Sequence, residues 1–359
     1  MKICRAHVKR GRIAALTCRR RDGARLGEMM PIVSAPDTFG ETMLDPQAQA
    51  VLQLMEDKQI PPVHTLSPEA AREAYVQRRY ATQKPPADVA LVEDTHFDGP
   101  AGEVRVRIYR PGTVDAEAAP ALVFFHGGGW VIGDLDTHDS LCRDLALNTP
   151  CVVIAVHYRL APEAPFPAAA EDAVAAFHWV QAHAGDLRLD PERIAVGGDS
   201  AGGNLAAVVS LTQRDAKRQD PNTPVPAHQL LIYPATDMRM GAASHTTNGQ
   251  GYLLTADTIR YFRGHYCPAP AQWDDWRASP LLHPDLSDLP PALVLTAGFD
   301  PLRDEGRQYA DALSAAGNDC QYVCFERQIH GFAPMTKVLH EANTALALCA
   351  HALGEALQA

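Results

Sequence analysis

The chain has 359 residues, 46% hydrophobic and 21% charged, the composition of an ordinary soluble globular protein with one large domain, or one domain and a small lid. Its net charge of -11 argues against nonspecific nucleic-acid binding, and no apolar run approaches the length of a membrane-spanning helix. Its eight cysteines are scattered without Cys-x-x-Cys pairs and lie mostly in apolar segments, so they are read as reduced and structural, and the setting as cytoplasmic.

The first thirty residues stand apart. Nine basic side chains, Lys2 to Arg25, face only Asp22 and Glu28, a local charge of +7 on an otherwise acidic chain. Ile13 to Leu16 is too short for a secretory apolar region, and residues 1–43 are expected to be a disordered or non-native extension, with Met30 or Met43 as the true start. From Leu44 the spacing of Val51, Leu52, Leu54 and Met55 predicts a short amphipathic helix, and Ser67-Pro68-Glu69 predicts a capped second helix running to Tyr80. Strands are expected at 89–97 and 103–109, the second alternating Val104, Val106 and Ile108 against Arg105, Arg107 and Arg110, as an exposed antiparallel edge would.

After Pro120 the pattern changes. Ala121–Phe125 and Cys151–Val156 are continuous apolar runs, and so are the shorter Ile194–Val196, Leu230–Ile232 and Ala292–Leu295, each separated from the next by helical stretches. Buried parallel strands alternating with helices predict a doubly wound α/β sheet with its site at the strands' carboxyl ends. An insert from Asp237 to about Pro280 breaks the alternation, carries a helix at Ala256–Tyr266, and is expected to cover the site together with the N-terminal helices at about 44–84.

Within this frame Gly198-Asp199-Ser200-Ala201-Gly202 lies between an apolar run and a small-residue helical pattern. A serine on such a strand-to-helix turn sits in strained backbone, which requires almost no side chain two residues before and two after. The pattern is expected by chance about 0.04 times in a chain of this composition, so its partners decide. His126-Gly127-Gly128-Gly129-Trp130 follows the strand ending at Phe125, and its glycine amides are bare enough to approach a ligand oxygen. A serine nucleophile then needs a base and an orienting acid, in the chain order acid then histidine. Asp300 follows the run Leu293–Thr296 in a loop; Asp304, four residues on, competes with it, though at the first turn of a helix. His330 is the only histidine between Asp300 and the final helix.

These motifs, with His157-Tyr158-Arg159-Leu160-Ala161-Pro162-Glu163, Asp300-Pro301-Leu302-Arg303-Asp304 and His330-Gly331-Phe332, closely resemble the bacterial hormone-sensitive-lipase group of esterases, family IV carboxylesterases of the α/β-hydrolase superfamily. The resemblance runs from about residue 44 to the end. It implies a mostly parallel eight-stranded sheet flanked by helices, with a helical cap. It implies Ser200 as nucleophile, His330 as base, Asp300 as acid, and the amides of Gly128, Gly129 and Ala201 as oxyanion hole. Short- to medium-chain acyl esters and water are the implied reactants, with no cofactor and no metal. It also allows a homodimer through an edge strand, for which Gln321 to Glu326 is the candidate. An amidase or peptidase on the same fold, and a small-molecule-binding relative without activity, are the competing readings.

Other conspicuous residues have quieter readings. Asp134, Asp136, His138 and Asp139 resemble a metal cluster, but Asp136-Thr137 is expected to cap a helix from Ser140. Cys320 and Cys324 share a strand face without a histidine pair to complete a zinc site. His126 is expected to brace the glycine loop, Tyr158, Arg159 and Glu163 to form a polar brace, and Asp199 to hold the elbow through backbone hydrogen bonds. Trp130, Tyr233 and Phe332 are candidates for an acyl pocket, with core packing the equal alternative.

Overall fold

The apolar runs become neighbouring strands of one sheet. The computed structural model describes residues 43–114 and 117–358, so all but the last residue of the expected 1–43 extension lies outside the described residues. Two helices come first, α1 (Pro46–Asp57) and α2 (Pro68–Thr82). Asp45 accepts from the Gln47 and Ala48 amides at the start of α1, and Ser67 accepts from Ala70 N at the start of α2. Eight strands follow among the described residues: β1 (Leu91–Gly99), β2 (Gly102–Arg110), β3 (Ala119–Phe125), β4 (Val152–His157), β5 (Leu189–Asp199), β6 (Gln229–Ile232), β7 (Ala292–Phe299) and β8 (Cys320–Ile329). Their order in the sheet is β1-β2-β4-β3-β5-β6-β7-β8. β1 and β2 pair antiparallel, as do β2 and β4, and the remaining pairs are parallel.

Both faces of the parallel region are covered, which is why its strands read as unbroken apolar runs rather than alternations. All seven residues of β3 are buried. Leu122 and Phe124 pack with α3 (Asp139–Asn148) and α9 (His340–Gln358) on one face. Val123 and Phe125 pack with α4 (Ala168–Ala182), α5 (Ala201–Gln219) and α8 (Arg303–Ala315) on the other. The insert holds α6 (Ser244–Thr247) and α7 (Ala256–Tyr266). Only α7 was legible in the sequence, because a single helical turn such as α6 has no period to detect.

Two expectations change. The alternating strand β2 is not the edge: it pairs with β1 on one side and β4 on the other, and β1 is the edge. On its charged face Arg107 bonds Asp94, Asp136 and Asp139 at 2.5, 2.9 and 3.3 Å, while Arg105 is exposed. Nor do Asp136 and Thr137 cap α3, whose cap position is His138 with no side-chain hydrogen bond. Thr137 is turned back onto Asp134, its amide donating to Oδ1 and its hydroxyl to the Asp134 carbonyl.

Phe124 has no exposed surface at the centre of the sheet. Its truncation to Ala is expected to cost about 3–5 kcal/mol, read as a lowered urea midpoint with an unchanged slope.

Candidate active site

The turn from β5 into α5 places Ser200 at φ 56° and ψ -115°, outside the ordinary regions for an L-residue. What holds it there is close packing beneath. A Cβ on Gly202 would lie 1.8 Å from the Phe125 carbonyl oxygen, so the first turn of α5 rests directly on the end of β3. The elbow and the glycine loop are thereby set side by side, because that loop leaves β3 at the same carbonyl.

The glycine loop is fixed by its own backbone. The Gly128 carbonyl accepts from Val131 N at 3.1 Å and Ile132 N at 2.9 Å. Gly128 C=O and Gly129 N–H are opposite ends of one planar peptide, so pinning the oxygen aims the N–H the other way. Gly128 has φ +126°, and a Cβ there would meet the Ile132 carbonyl oxygen at 2.1 Å, which only glycine avoids. Among the described residues the amides of Gly128, Gly129 and Ala201 donate to no protein acceptor. For Ala201, the first residue of α5, this is the ordinary state of a helix start.

Asp300, in the loop after β7, has no exposed surface. Its Oδ1 accepts from Leu302 N at 2.8 Å and its Oδ2 lies 2.7 Å from His330 Nδ1. His330 Nε2 lies 2.9 Å from Ser200 Oγ. The competitor Asp304 is occupied elsewhere, by Arg303 Nε and Ser244 N, and does not meet His330. Asn248 secures the acid loop, its side-chain N–H groups donating to the carbonyls of Gly298 and Asp300.

Asp199 makes its backbone hydrogen bond across to the glycine loop. Its Oδ1 accepts from Gly127 N at 2.7 Å and lies 3.1 Å from His138 Nε2, so it ties the glycine loop to α3. Burial pushes the Asp199 carboxyl up, but His138 and the Gly127 amide outweigh it and hold the pKa below the ordinary value. His126 braces the same loop: its Nδ1 lies 2.9 Å from the Gly127 carbonyl, and Tyr158 Oη donates to the His126 carbonyl at 2.7 Å. Of the proposed polar brace, Arg159 pairs with the buried Asp172, and Glu163 reaches across to a residue that local sequence does not reveal.

That residue is Arg72 of α2. It donates from Nη1 and Nη2 to both Glu163 oxygens at 2.8 and 2.7 Å, from Nε to the Val131 carbonyl at 2.8 Å, and from Nη2 to the Ala161 carbonyl at 2.9 Å. Hydrogen bonding to Arg72 holds Glu163 down at about 2. A guanidinium thus links a helix of the N-terminal segment to the end of the glycine loop. Its only sequence signal was Glu163, whose partner lies 91 residues away.

A cavity opens above Ser200 and His330, walled by Val63 and Tyr75 from the N-terminal segment and by Met238, Leu254 and Phe262 from the insert. Trp130 lines it and also stacks on Tyr266 with ring centroids 4.6 Å apart. Tyr233 and Phe332 do not line it. Both are buried behind the site, Tyr233 with its ring 4.7 Å from that of His330 and Phe332 against Tyr233, because the backbone at each points the side chain into the core.

A serine on a strained strand-to-helix turn, in line with a histidine and a buried aspartate on successive strand ends, defines the α/β-hydrolase class. The alpha/beta hydrolase fold family model matches residues 122–334. The chain is 49% identical over 243 residues to the carboxylic ester hydrolase LipN of Mycobacterium tuberculosis, a match covering 67% of this chain and 64% of that one. It is 38% identical over 320 residues to the ethyl acetate hydrolase of Pseudomonas putida, covering 88% and 99%. Solved relatives include an alpha/beta hydrolase enzyme from the metagenome of Lake Arreo, Spain (TM-score 0.84, 43% identity, covering 88% and 99%) and the hyperthermophilic esterase of Pyrobaculum calidifontis (0.81, 38%, covering 88% and 100%). The chain belongs to this superfamily and, within it, to the hormone-sensitive-lipase-like carboxylesterases.

Arg72→Met is expected to lower kcat on the order of 10- to 100-fold with KM little changed, since it loosens the loop carrying two of the amides. Arg72→Lys should rescue little, because an ammonium does not reproduce the planar fork. Steady-state kinetics beside thermal melts distinguish this from simple instability. Burial lowers the His126 pKa to about 3, below the unfolded value of about 6.5. Between those values the unfolded chain binds a proton that the folded chain does not, so stability falls as pH drops through that window. His126→Asn is expected to flatten the slope, measured as urea midpoints at pH 7, 6 and 5.

Proposed function

We propose that this protein hydrolyses short- to medium-chain acyl esters, with Ser200 as nucleophile, His330 as general base and Asp300 as the acid that orients it. The Gly128, Gly129 and Ala201 amides form the oxyanion hole. The observation that carries this reading is the unbroken line from Asp300 through His330 to Ser200, at 2.7 and 2.9 Å, beside three amides with no protein acceptor.

The reaction proceeds in two halves. His330 Nε2 takes the Ser200 Oγ proton as Oγ bonds to the ester carbonyl carbon, and the carbonyl electron pair moves onto oxygen facing the amides. The C=O re-forms, the C–O bond to the alcohol breaks, and His330 returns the proton to the departing alkoxide. Water then enters, His330 takes its proton, and hydroxide attacks the acyl-enzyme. Collapse releases the carboxylic acid and restores Ser200. Asp300 keeps Nδ1–H toward itself and stabilises the imidazolium formed in each half. Nucleophile, base, acid and oxyanion donors all come from the chain, so the chemistry calls for no cofactor.

Residues of about 44–84 and 237–280 act as the cap, a reading supported by their joint contribution to the cavity wall. Its largely apolar side chains suit an acyl chain. The free thiols of Cys142, Cys151, Cys267 and Cys349, all buried, support a reducing, cytoplasmic setting. Among the described residues β8 is an outer strand whose Gln321 to Glu326 stretch pairs only with β7, which supports a homodimer through that stretch.

With nitrophenyl esters from acetate to decanoate, kcat/KM is expected to peak at short to medium chains and decline toward decanoate. Ser200→Ala is expected to lose at least about 10³-fold in kcat with an unchanged circular dichroism spectrum. A matched amide cleaved as fast as its ester, or activity retained without Ser200, overturns the reading.

A further inference from the structure

The cavity above Ser200 has a cation in its wall that no anion of the protein meets. Arg78 of α2 lines the cavity beside Tyr75, its guanidinium carbon 4.5 Å from the centre of the Tyr75 ring. Among the described residues no carboxylate pairs with this side chain and no carbonyl accepts from it, and its nitrogens are open to solvent rather than sealed in the core. Tyr75 supplies no counter-charge. Burial pushes its hydroxyl up to about 12, with the nearby Arg78 pulling the other way, so the phenol stays neutral.

The carboxylates at the cavity are already occupied. Asp199 accepts from Gly127 N and lies 3.1 Å from His138, Asp237 pairs with Arg239 at 2.8 Å, and Glu305 lies 2.6 Å from His245. The wall's other guanidinium, Arg263 of α7, donates to the Met238 carbonyl at 2.9 Å and lies 3.7 Å over the Trp273 ring, and it too meets no carboxylate among the described residues. Two positive charges therefore stand uncompensated in a wall otherwise built from side chains such as Leu254, Ile259 and Phe262. The chain does not lack acids to pair with them, having 43 Asp and Glu against 32 Lys and Arg.

We propose that Arg78 is a carboxylate subsite of the substrate cavity, so that esters carrying a carboxylate on the acyl or alcohol chain are preferred over uncharged esters of the same shape. A guanidinium offers a carboxylate two parallel N–H donors, and the contact with Tyr75 restricts where that fork can point. Arg78 is half-buried, so a carboxylate reaching it keeps part of its hydration and avoids the cost of full burial. Arg263 adds to the positive field that draws the anion in. The proposal rests on the esterase reading above.

The test is a pH-stat comparison, near neutral pH, of two isosteric pairs: monoethyl adipate with ethyl adipamate for the acyl side, and 4-(butyryloxy)butanoate with 4-(butyryloxy)butanamide for the alcohol side. In one pair the carboxylate ester is expected to have a kcat/KM about ten-fold above its carboxamide, as a charge-assisted hydrogen bond gives. In Arg78→Met that ratio is expected to fall toward one. A ratio unchanged in the variant, even with both rates lowered, marks Arg78 as packing for Tyr75 and overturns the subsite. A native ratio of one or less in both pairs overturns it as well. Should Arg78→Met not fold, Arg78→Gln is measured in its place. Failure of the native enzyme to cleave any of these esters, or ethyl butyrate beside them, refutes the esterase reading instead.

Discussion

The contact on which the site depends is the seating of α5 on the end of β3. Gly202 has so little room that even a methyl group would collide with the Phe125 carbonyl at 1.8 Å, and this closeness keeps Ser200 in its strained conformation. The same carbonyl ends the strand from which the glycine loop departs. One approach of helix to strand therefore sets both the direction of the hydroxyl and its distance from the loop amides. Strain of this kind persists only where surrounding packing over-determines it, and here the sheet is buried on both faces.

Charged groups complete what packing begins. Asp199, adjacent to Ser200, holds the Gly127 amide and meets His138, so the neighbour of Ser200 positions the loop opposite. Arg72 reaches the next part of that loop from outside, joining the Val131 carbonyl to Glu163. Arg72 stands outside the cavity wall, and Asp199 lies beside it. Both convert a loop, ordinarily the loosest part of an α/β fold, into a fixed array of amides. Asn248 does the same for the loop of Asp300, which it links to the insert.

The parts of this site that were legible in the sequence are those where chemistry demands a residue type at a fixed local spacing. Gly198 and Gly202 about Ser200, and the three glycines after His126, announce tight backbone approach without knowledge of what approaches. Residues whose partners are distant were misread or missed. Asp199 was expected to hold the elbow through backbone hydrogen bonds, but its amide partner, 72 positions away in sequence, was not legible. Tyr233 and Phe332 stand at strand ends near the site, yet turn into the core, since proximity along the chain says nothing of the direction of a side chain. β2 alternated like an edge strand because one of its faces is polar, yet it lies inside the sheet, with Arg107 met by Asp94, Asp136 and Asp139 and Arg105 left exposed.

By itself the sequence determined the alternation of buried strands and helices, the strained serine turn, the glycine loop and the order of acid and histidine, because each is set by interactions over a few residues. Only the tertiary structure decided that Asp300 and not Asp304 meets His330, that Arg72 and Asp199 secure the glycine loop, and that His245 and Glu305 stand in the cavity wall. The physical reason is the same in each case. A hydrogen bond between side chains tens of residues apart depends on where packed elements bring them, and close packing of the sheet, its helices and the insert leaves one arrangement in which the buried donors and acceptors named here meet.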